Sequence, residues 1–79
     1  MKTRVVVTLK ASVLDPQGKA IEGALKSLGL AGFASVRQGK VFDIELDGVE
    51  GEAAEALVRQ ACEKLLANTI VENFAIQHG

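Results

Sequence analysis

A boundary between a strand and a helix at Asp15-Pro16 constrains the fold more than any other feature of the sequence. The residues before it, from Thr3 to Lys10, largely alternate in polarity, as in an extended strand, and those after it repeat apolar side chains at helical spacing. Asp15 can accept a hydrogen bond from a free amide of the first turn. Pro16 suits the first helical position because it has no amide proton to leave unpaired. The sequence therefore predicts a helix over 16–28 directly behind a strand.

The remainder of the chain divides into short periodic segments. Gly29 is a natural stop for the first helix, since glycine readily adopts the left-handed conformation of a helix terminus. Period-two alternation on both sides of Gly39 predicts a tight hairpin, and apolar residues at helical spacing predict a second helix that Asn68 can end. The predicted segments are, in chain order, a strand over 33–38, a strand over 40–47, a helix over 52–67 and a strand over 70–77.

The order β-α-β-β-α-β predicts an α+β fold. Right-handed crossovers place both helices on one face of a four-stranded antiparallel sheet, which is the ferredoxin-like two-layer sandwich. Each helix carries one apolar stripe for packing on that sheet. The predicted stripes are Ile21, Ala24, Leu25 and Leu28 in the first helix, and Ala54, Leu57, Val58, Ala61 and Leu65, with Cys62 beside them, in the second. A chain of 79 residues predicts one domain, 1–79.

The apolar content predicts self-association. Hydrophobic residues make up 48% of the chain, more than a small well-solvated monomer needs, and a four-stranded sheet leaves two open edges that pair readily. The sheet face opposite the helices also displays aliphatic side chains, namely Val6 and, depending on register, Val36, Val41 and Val71. We therefore expect a homodimer or a dimer of dimers.

Charge and cysteine content exclude several classes of protein. A net charge of −1 argues against a binder of nucleic acids or anionic membranes, because both need a basic face. The single cysteine, Cys62, predicts no internal disulfide. The N-terminus lacks the length and cleavage site of a signal peptide, and no apolar run is long enough to span a bilayer. These features predict a cytoplasmic protein.

The sequence holds no recognisable catalytic set. His78, the only histidine, lies one residue from the C-terminus and is expected to be a solvated tail residue. Cys62 is expected to be a small buried hydrophobe in the second helix. Asp43, Glu45 and Asp47 share one strand face, which is expected to be solvated or to face a partner. Neither Gly18 nor Gly39 lies in a phosphate-binding motif, so the sequence predicts no cofactor, no metal site and no turnover by the chain alone.

Four blocks of sequence, spread in register over about 2–76, together resemble one family. They are Val7-Thr-Leu-Lys10, Val13-Leu-Asp-Pro-Gln-Gly-Lys-Ala-Ile21, Val36-Arg-Gln-Gly-Lys40 and Cys62-Glu-Lys-Leu-Leu-Ala-Asn-Thr69. They are similar to the PurS family, the small subunit of phosphoribosylformylglycinamidine synthase in purine biosynthesis. The family often carries an acidic residue and a tyrosine where this chain has Asn73 and Phe74.

The resemblance implies a non-catalytic accessory subunit. In the PurS family the small subunit joins a glutaminase subunit (PurQ) and an ATP-dependent synthetase subunit (PurL), and ammonia passes between their two active sites. The small subunit helps to assemble that complex and to support the transfer. On this basis the residues expected to touch partners are Lys10, Leu14, Asp15, Gln17, Arg37 and Lys40.

Two other functions are compatible with the predicted element order. A regulatory domain of the ACT type binds amino acids between paired subunits, and its usual sign is a glycine-rich turn between the first strand and first helix. Here that segment is Ala11-Ser-Val-Leu-Asp-Pro-Gln-Gly18, with glycine only at its end. An RNA-recognition module needs exposed aromatic side chains on the sheet for base stacking, and three phenylalanines without tyrosine or tryptophan do not favour it.

Overall fold

A computed structural model describes residues 1–78. Its elements are, in chain order, β1 (Lys2–Leu9), α1 (Pro16–Ser27), β2 (Gly39–Glu45), α2 (Gly51–Ala61), a π-helical turn (Cys62–Leu66) and β3 (Glu72–His78). The strands form a three-stranded antiparallel sheet in the order β2-β1-β3. The α+β class is therefore confirmed, and the central position belongs to the strand with the most valines.

The core lies between β1 and α2. Val5 and Val7 of β1 are at most 1% exposed and pack against Val58 of α2 and Cys62 of the π-helical turn. In the register of the sheet, Val5 lies opposite Phe42 of β2 and Ile76 of β3, so one face of all three strands is apolar. This face agrees with the predicted alternation in each strand, and α2 covers part of it.

The π-helical turn changes which side chains of the second helix are buried. Its wider turn gives a hydrogen bond of 2.9 Å from the Ala67 amide to the Cys62 carbonyl, and both residues are buried. These two hydrogen-bonded residues are five positions apart, whereas the backbone hydrogen bonds of an α-helix join residues four positions apart. Leu65, which the sequence placed in the core, is instead 83% exposed; Leu57, also placed in the core, is 45% exposed although it precedes the turn. That part of the predicted stripe is wrong.

Both ends of α1 form as the sequence predicts. The Asp15 carboxylate accepts a hydrogen bond of 2.9 Å from the Gly18 amide, and Pro16 takes the first helical position. At the other end Gly29 adopts a φ of +78°, which glycine tolerates because it has no Cβ. Its amide bonds the Lys26 carbonyl and the next amide bonds the Leu25 carbonyl, the paired pattern of a Schellman motif.

The predicted strand over 33–38 is not formed in the structure, so the predicted hairpin is wrong and the fourth strand is not seen. The segment follows α1 instead and leads into β2 at Gly39. A strand needs a neighbour for its backbone groups, but two amides here bond side chains. The Val36 amide donates to Glu22 at 2.9 Å, and the Gln38 amide donates to Asp15 at 2.6 Å. These bonds hold the segment beside α1.

The apolar stripe of α1 is not covered by the sheet. Ile21 and Leu28 are 39% and 73% exposed, and the one buried residue of this helix is Gly18. We call residues 16–38, which comprise α1 and the extended segment after it, the arm. The described chain measures 50 × 25 × 15 Å with a radius of gyration of 16.0 Å, whereas a compact domain of this length has about 12 Å. The predicted two-helix layer is therefore absent from residues 1–78 of a single copy.

The opposite face of the sheet is more polar than the sequence suggested. One row across it is apolar, with Val6 between Val41 and Ala75, and Val41 is 54% exposed. In the next row Arg4 and Asp43 form an exposed ion pair at 2.8 Å. The arm carries more exposed large apolar side chains than this face does, namely Ile21, Leu28, Leu30 and Phe33.

Two glycines of α1 provide a matched test of how tightly the arm is held. A Cβ at Gly18 would lie 2.7 Å from the Asp15 carboxylate and would overlap the Val36 carbonyl oxygen, whereas a Cβ at Gly23 meets no atom within 4 Å. We expect Gly18→Ala to destabilise the protein by about 1–3 kcal/mol, because backbone must move. Gly23→Ala should stabilise it by up to about 1 kcal/mol. Urea unfolding measures both; equal effects would contradict the close approach.

Candidate functional site

The six residues predicted to touch partners lie where β1 ends and where α1 and β2 begin. We call this region the junction surface; its members are Lys10, Leu14, Asp15, Gln17, Arg37 and Lys40. The loop over 10–15 leaves the sheet here, and 37–40 returns to it. The fold thus brings together residues that are up to 30 positions apart in the chain.

Asp15 is a structural residue at this surface. It is 4% exposed, and its two carboxylate oxygens accept amide hydrogen bonds from Gly18 and Gln38. These bonds, first that from Gln38 and then that from Gly18, lower the pKa of the carboxyl below its usual value, with a smaller contribution from Arg37. Asp15 thereby ties the start of α1 to the residue before β2, and so little of it is exposed that it offers a partner almost no surface.

Arg37 is a clamp for the neighbouring loop. Its Nη2 donates to the Lys10 carbonyl at 3.0 Å and to the Val13 carbonyl at 2.9 Å. The Val13 amide in turn donates to the Lys10 carbonyl, which closes a turn in the same loop. The sequence assigned Arg37 to a partner contact only, and no local pattern pointed to carbonyl groups more than 20 positions away. Its guanidinium already holds the loop in shape.

Leu14 and Lys40 are the members of this surface most available to another molecule. Leu14 is 69% exposed in a loop that Arg37 and Asp15 hold on both sides. Lys40 Nζ lies 3.9 Å from a Glu72 carboxylate oxygen, a long and partly exposed ion pair, and 5.9 Å from the Phe42 ring centroid. An apolar side chain on a preorganised loop beside an exposed cation is suited to contact with a protein.

A shallow polar cleft of about 240 Å³ lies beside these residues. It is lined by Asp15, Gln17 and Lys40, together with Gln38 and Glu72, which the sequence analysis did not select. Gln38 bonds the Gln17 side chain, and Glu72 accepts the Asn68 amide at 2.7 Å. Both polar side chains are thus occupied by internal contacts. The partner of Gln38 lies 21 positions away, which no local pattern records, whereas the partner of Glu72 lies only four positions away.

The residues considered for chemistry have structural roles. Cys62 is fully buried, as predicted, and burial raises the pKa of its thiol. Asp43 lies on the exposed sheet face, where its bond to Arg4 lowers its pKa. His78 was expected to be a solvated tail residue; it is exposed to solvent, but it does not lie in a free tail. It is the last residue of β3, and its ring contacts Thr3 and Glu55, because pairing with β1 extends to the strand end.

Within the part of the chain that the structure describes, no three acidic, histidine or cysteine side chains are grouped closely enough to hold a metal ion. Nor does any helix of residues 1–78 have the length and hydrophobicity needed to cross a bilayer.

Comparison with known proteins identifies the family. The sequence model of PurS, described as phosphoribosylformylglycinamidine (FGAM) synthase, matches residues 2–78. The chain belongs to the PurS family. The PurS subunit of phosphoribosylformylglycinamidine synthase from Mycobacterium leprae (strain TN) is 47% identical over 72 residues, which cover 91% of this chain and 87% of that protein.

Solved structures of PurS proteins share the whole fold. The PurS of Methanocaldococcus jannaschii, one of the subunits of formylglycinamide ribonucleotide amidotransferase in the purine biosynthetic pathway, is 36% identical with a TM-score of 0.86, over 96% of this chain and 92% of that one. A chain in the structure of PurLQS from Thermotoga maritima is 32% identical with a TM-score of 0.88, over 96% and 93% of the two chains. The PurS resemblance seen in the four sequence blocks is confirmed.

The buried carboxylate of this PurS-family chain should make its stability depend on acid. Because the pKa of Asp15 is lowered by folding, its contribution is present above the unfolded value of about 3.9 and is lost as the pH falls through the folded value. We expect Asp15→Asn to lower the free energy of unfolding by about 1–3 kcal/mol at pH 7. Urea unfolding at pH 7, 5 and 3 should show this gap closing at the lowest pH. A gap independent of pH would mean that the carboxylate charge is not responsible.

Proposed function

We propose that this chain is the non-catalytic accessory subunit of a phosphoribosylformylglycinamidine synthase complex in de novo purine biosynthesis. It would assemble the glutaminase subunit PurQ with the synthetase subunit PurL and support the transfer of ammonia between them. The observation that carries the proposal is the family match over 2–78, together with the same fold in a chain of the PurLQS structure. The match favours this role over an amino-acid-binding regulatory domain.

The side chains of the chain support an accessory role. Amidine synthesis from glutamine needs a nucleophile to release ammonia and a nucleotide site to activate the amide substrate. Cys62, the sole cysteine, is fully buried with a raised thiol pKa, and His78 is held between two other side chains. Such groups do not supply a nucleophile. The chemistry then belongs to the partners, and we place all of them in the cytoplasm with this chain as one domain.

The junction surface is the proposed contact with the larger partners. Its clamped loop presents Leu14 in a fixed position, so that binding does not have to order the loop first. Lys40 supplies the adjacent positive charge and Gln17 an exposed polar rim. Arg37 and Asp15 contribute by holding this surface in shape, and Lys10 contributes its carbonyl to the Arg37 clamp.

The proposal predicts a strict requirement in a reconstituted assay. PurL and PurQ from the same source, mixed without this chain, should make little formylglycinamidine ribonucleotide from glutamine, and adding the chain should restore the rate. The chain alone should show no turnover. Replacing glutamine with an ammonium salt is the control that PurL is competent. Full glutamine-dependent activity without the chain would show that the subunit assignment is wrong.

The same assay separates a contact residue from a clamp. Lys40→Glu and Leu14→Asp should raise the concentration of chain needed for half-maximal activity, with an unfolding free energy within about 0.5 kcal/mol of wild type. Arg37→Glu should weaken both assembly and stability, because two loop carbonyls lose their donor. The exposed Glu63→Lys on the π-helical turn is a matched charge reversal away from this surface. Glu63→Lys should leave the concentration needed for half-maximal activity unchanged. If Lys40→Glu and Leu14→Asp also leave it unchanged, the partners bind elsewhere.

We also propose that the chain works as a homodimer, alone or as part of a dimer of dimers. The arm carries an uncovered stripe with Ile21 and Leu28, and Phe42 and Ile44 of β2 are only half-buried on the sheet face beside α2. The stripe on the arm and this sheet face are both apolar and suited to pack on each other. The hydrogen bonds at the junction surface direct the arm of one copy away from its own sheet, so the two surfaces do not meet within one chain. A second copy can cover both surfaces at once.

The dimer would also complete the predicted ferredoxin-like layer. The outer edge of β2 is open in the three-stranded sheet, and open edges pair readily with another strand. The segment over 33–38 has the alternation of a strand and lies outside any ladder. We place the segment of one copy along the β2 edge of the other, with the partner's α1 over the sheet, to give four strands and two helices in each half.

The dimer predicts a specific response to a charged residue on the arm. In sedimentation equilibrium at micromolar concentration, we expect the wild-type chain at the dimer mass or twice that mass. Leu28→Asp should shift it towards monomer, because the carboxylate would be buried at the interface. Leu65→Asp is the matched control, since Leu65 is also largely exposed, at 83% against 73% for Leu28, but lies outside the arm. A wild-type monomer, or equal effects of the two variants, would contradict the exchange of arms.

A further inference from the structure

His78 joins the end of the sheet to both of its neighbours. Its Nδ1 lies 3.2 Å from Thr3 Oγ1 on β1, and its Nε2 contacts a carboxylate oxygen of Glu55 on α2. Thr3 is 3% exposed, so water has little access to its hydroxyl. The imidazole therefore provides the hydrogen-bond partner that water would otherwise provide to this hydroxyl.

A second pair of contacts closes this network. Glu55 also accepts a hydrogen bond of 2.9 Å from Arg59, one helical turn further along α2. The Arg59 guanidinium carbon lies 5.7 Å from the ring centroid of Phe74 on β3. Contacts thus run from β3 to α2 at His78 and return to β3 at Phe74. The hydrogen bonds from His78 and then Arg59 lower the pKa of Glu55 below its usual value.

These contacts matter because the apolar attachment of α2 is small. Its buried side chains are those of Ala54 and Val58, followed by Cys62 at the start of the π-helical turn. Small side chains remove little apolar surface from water, and the free energy of burial scales with that surface. A polar network across the helix–sheet boundary can therefore be a substantial part of what holds α2 in place.

We propose that Thr3, His78 and Glu55 form a clasp that fastens α2 to the sheet most firmly when the imidazole is protonated. Among residues 1–78, the charged group in contact with the ring is Glu55 of α2, and Arg59 pairs with that same glutamate. Thr3 faces it from β1, and the residue beyond Thr3 on β2 is the apolar Ile44. The remaining charges nearby lie at alternate positions on the other sheet face: Lys2, Arg4, Asp43 and Glu45.

The effect of pH follows from the donors available in each state. The protonated ring donates from both nitrogens and forms an ion pair with the Glu55 carboxylate. The neutral ring has one N–H, so the Thr3 hydroxyl must donate to Nδ1 and the ion pair is lost. Histidine changes charge between pH 5 and 8. The lowered pKa of Glu55 keeps the carboxylate charged through mildly acidic pH. The clasp is strongest there and weakens as the pH rises towards 8.5.

The test compares the Tm of the full-length wild type with that of His78→Gln at pH 5.5 and 8.5, at one fixed protein concentration because association shifts Tm. We expect a gap of about 3 °C at pH 5.5 and a clearly smaller one at pH 8.5, where the neutral ring keeps its hydrogen bonds but not the ion pair. Asp43→Asn is the matched control, because it removes an exposed ion pair whose cation, Arg4, stays charged. Its gap should be the same at both pH values.

A second variant identifies the charge that the imidazole meets. In a Glu55→Gln background, His78→Gln should change the Tm equally at the two pH values. An equal His78→Gln gap at pH 5.5 and 8.5 in the wild-type background, or no gap at pH 5.5, would overturn the proposal. Persistence of the pH dependence in the Glu55→Gln background would overturn the assignment of Glu55. Loss of the dependence in that background supports the clasp.

Discussion

Two hydrogen bonds to one buried carboxylate hold the arm of this structure at its base. Asp15 accepts the Gly18 amide, which begins α1, and the Gln38 amide, which precedes β2. A buried carboxylate is stable only where donors replace its hydration, and here the backbone supplies both. The same bonds set the direction in which α1 leaves the sheet. Arg37 adds to this arrangement by holding the loop before α1 through two carbonyl groups.

The direction of the arm connects the fold to its proposed role. Because α1 does not return to its own sheet, an apolar helix face and an open strand edge remain available to a second copy. Polar bonds within one chain thus leave the apolar face of the arm uncovered. The proposed role would use both features, namely a loop held by the hydrogen bonds of Arg37 at the junction surface and an exposed apolar face on the arm.

The attachment of α2 to the sheet also depends on polar contacts, because its apolar contact with the sheet is small. The side chains that α2 buries are small, and the π-helical turn moves Leu65 outward while burying Ala67. Histidine, glutamate and arginine side chains then bridge α2 and β3 across the edge of this small core. A chain of 79 residues buries little apolar area at each contact between its elements. Specific polar contacts therefore contribute more to holding these elements in register than they would in a larger domain.

The sequence by itself determined the local elements and the family. The Asp15-Pro16 start and the Gly29 stop follow from interactions within a few residues. The alternation of β1 and β3 and the helical spacing around Cys62 predicted which of their side chains face the core, and four blocks in register were enough to indicate the PurS family. Tertiary structure decided the rest. Period-two alternation shows that 33–38 can be a strand, but a strand forms only where a neighbour accepts its hydrogen bonds, and in one copy Asp15 and Glu22 take those amides. The roles of Arg37 and His78 likewise depend on groups more than 20 positions away, whose approach no local pattern records.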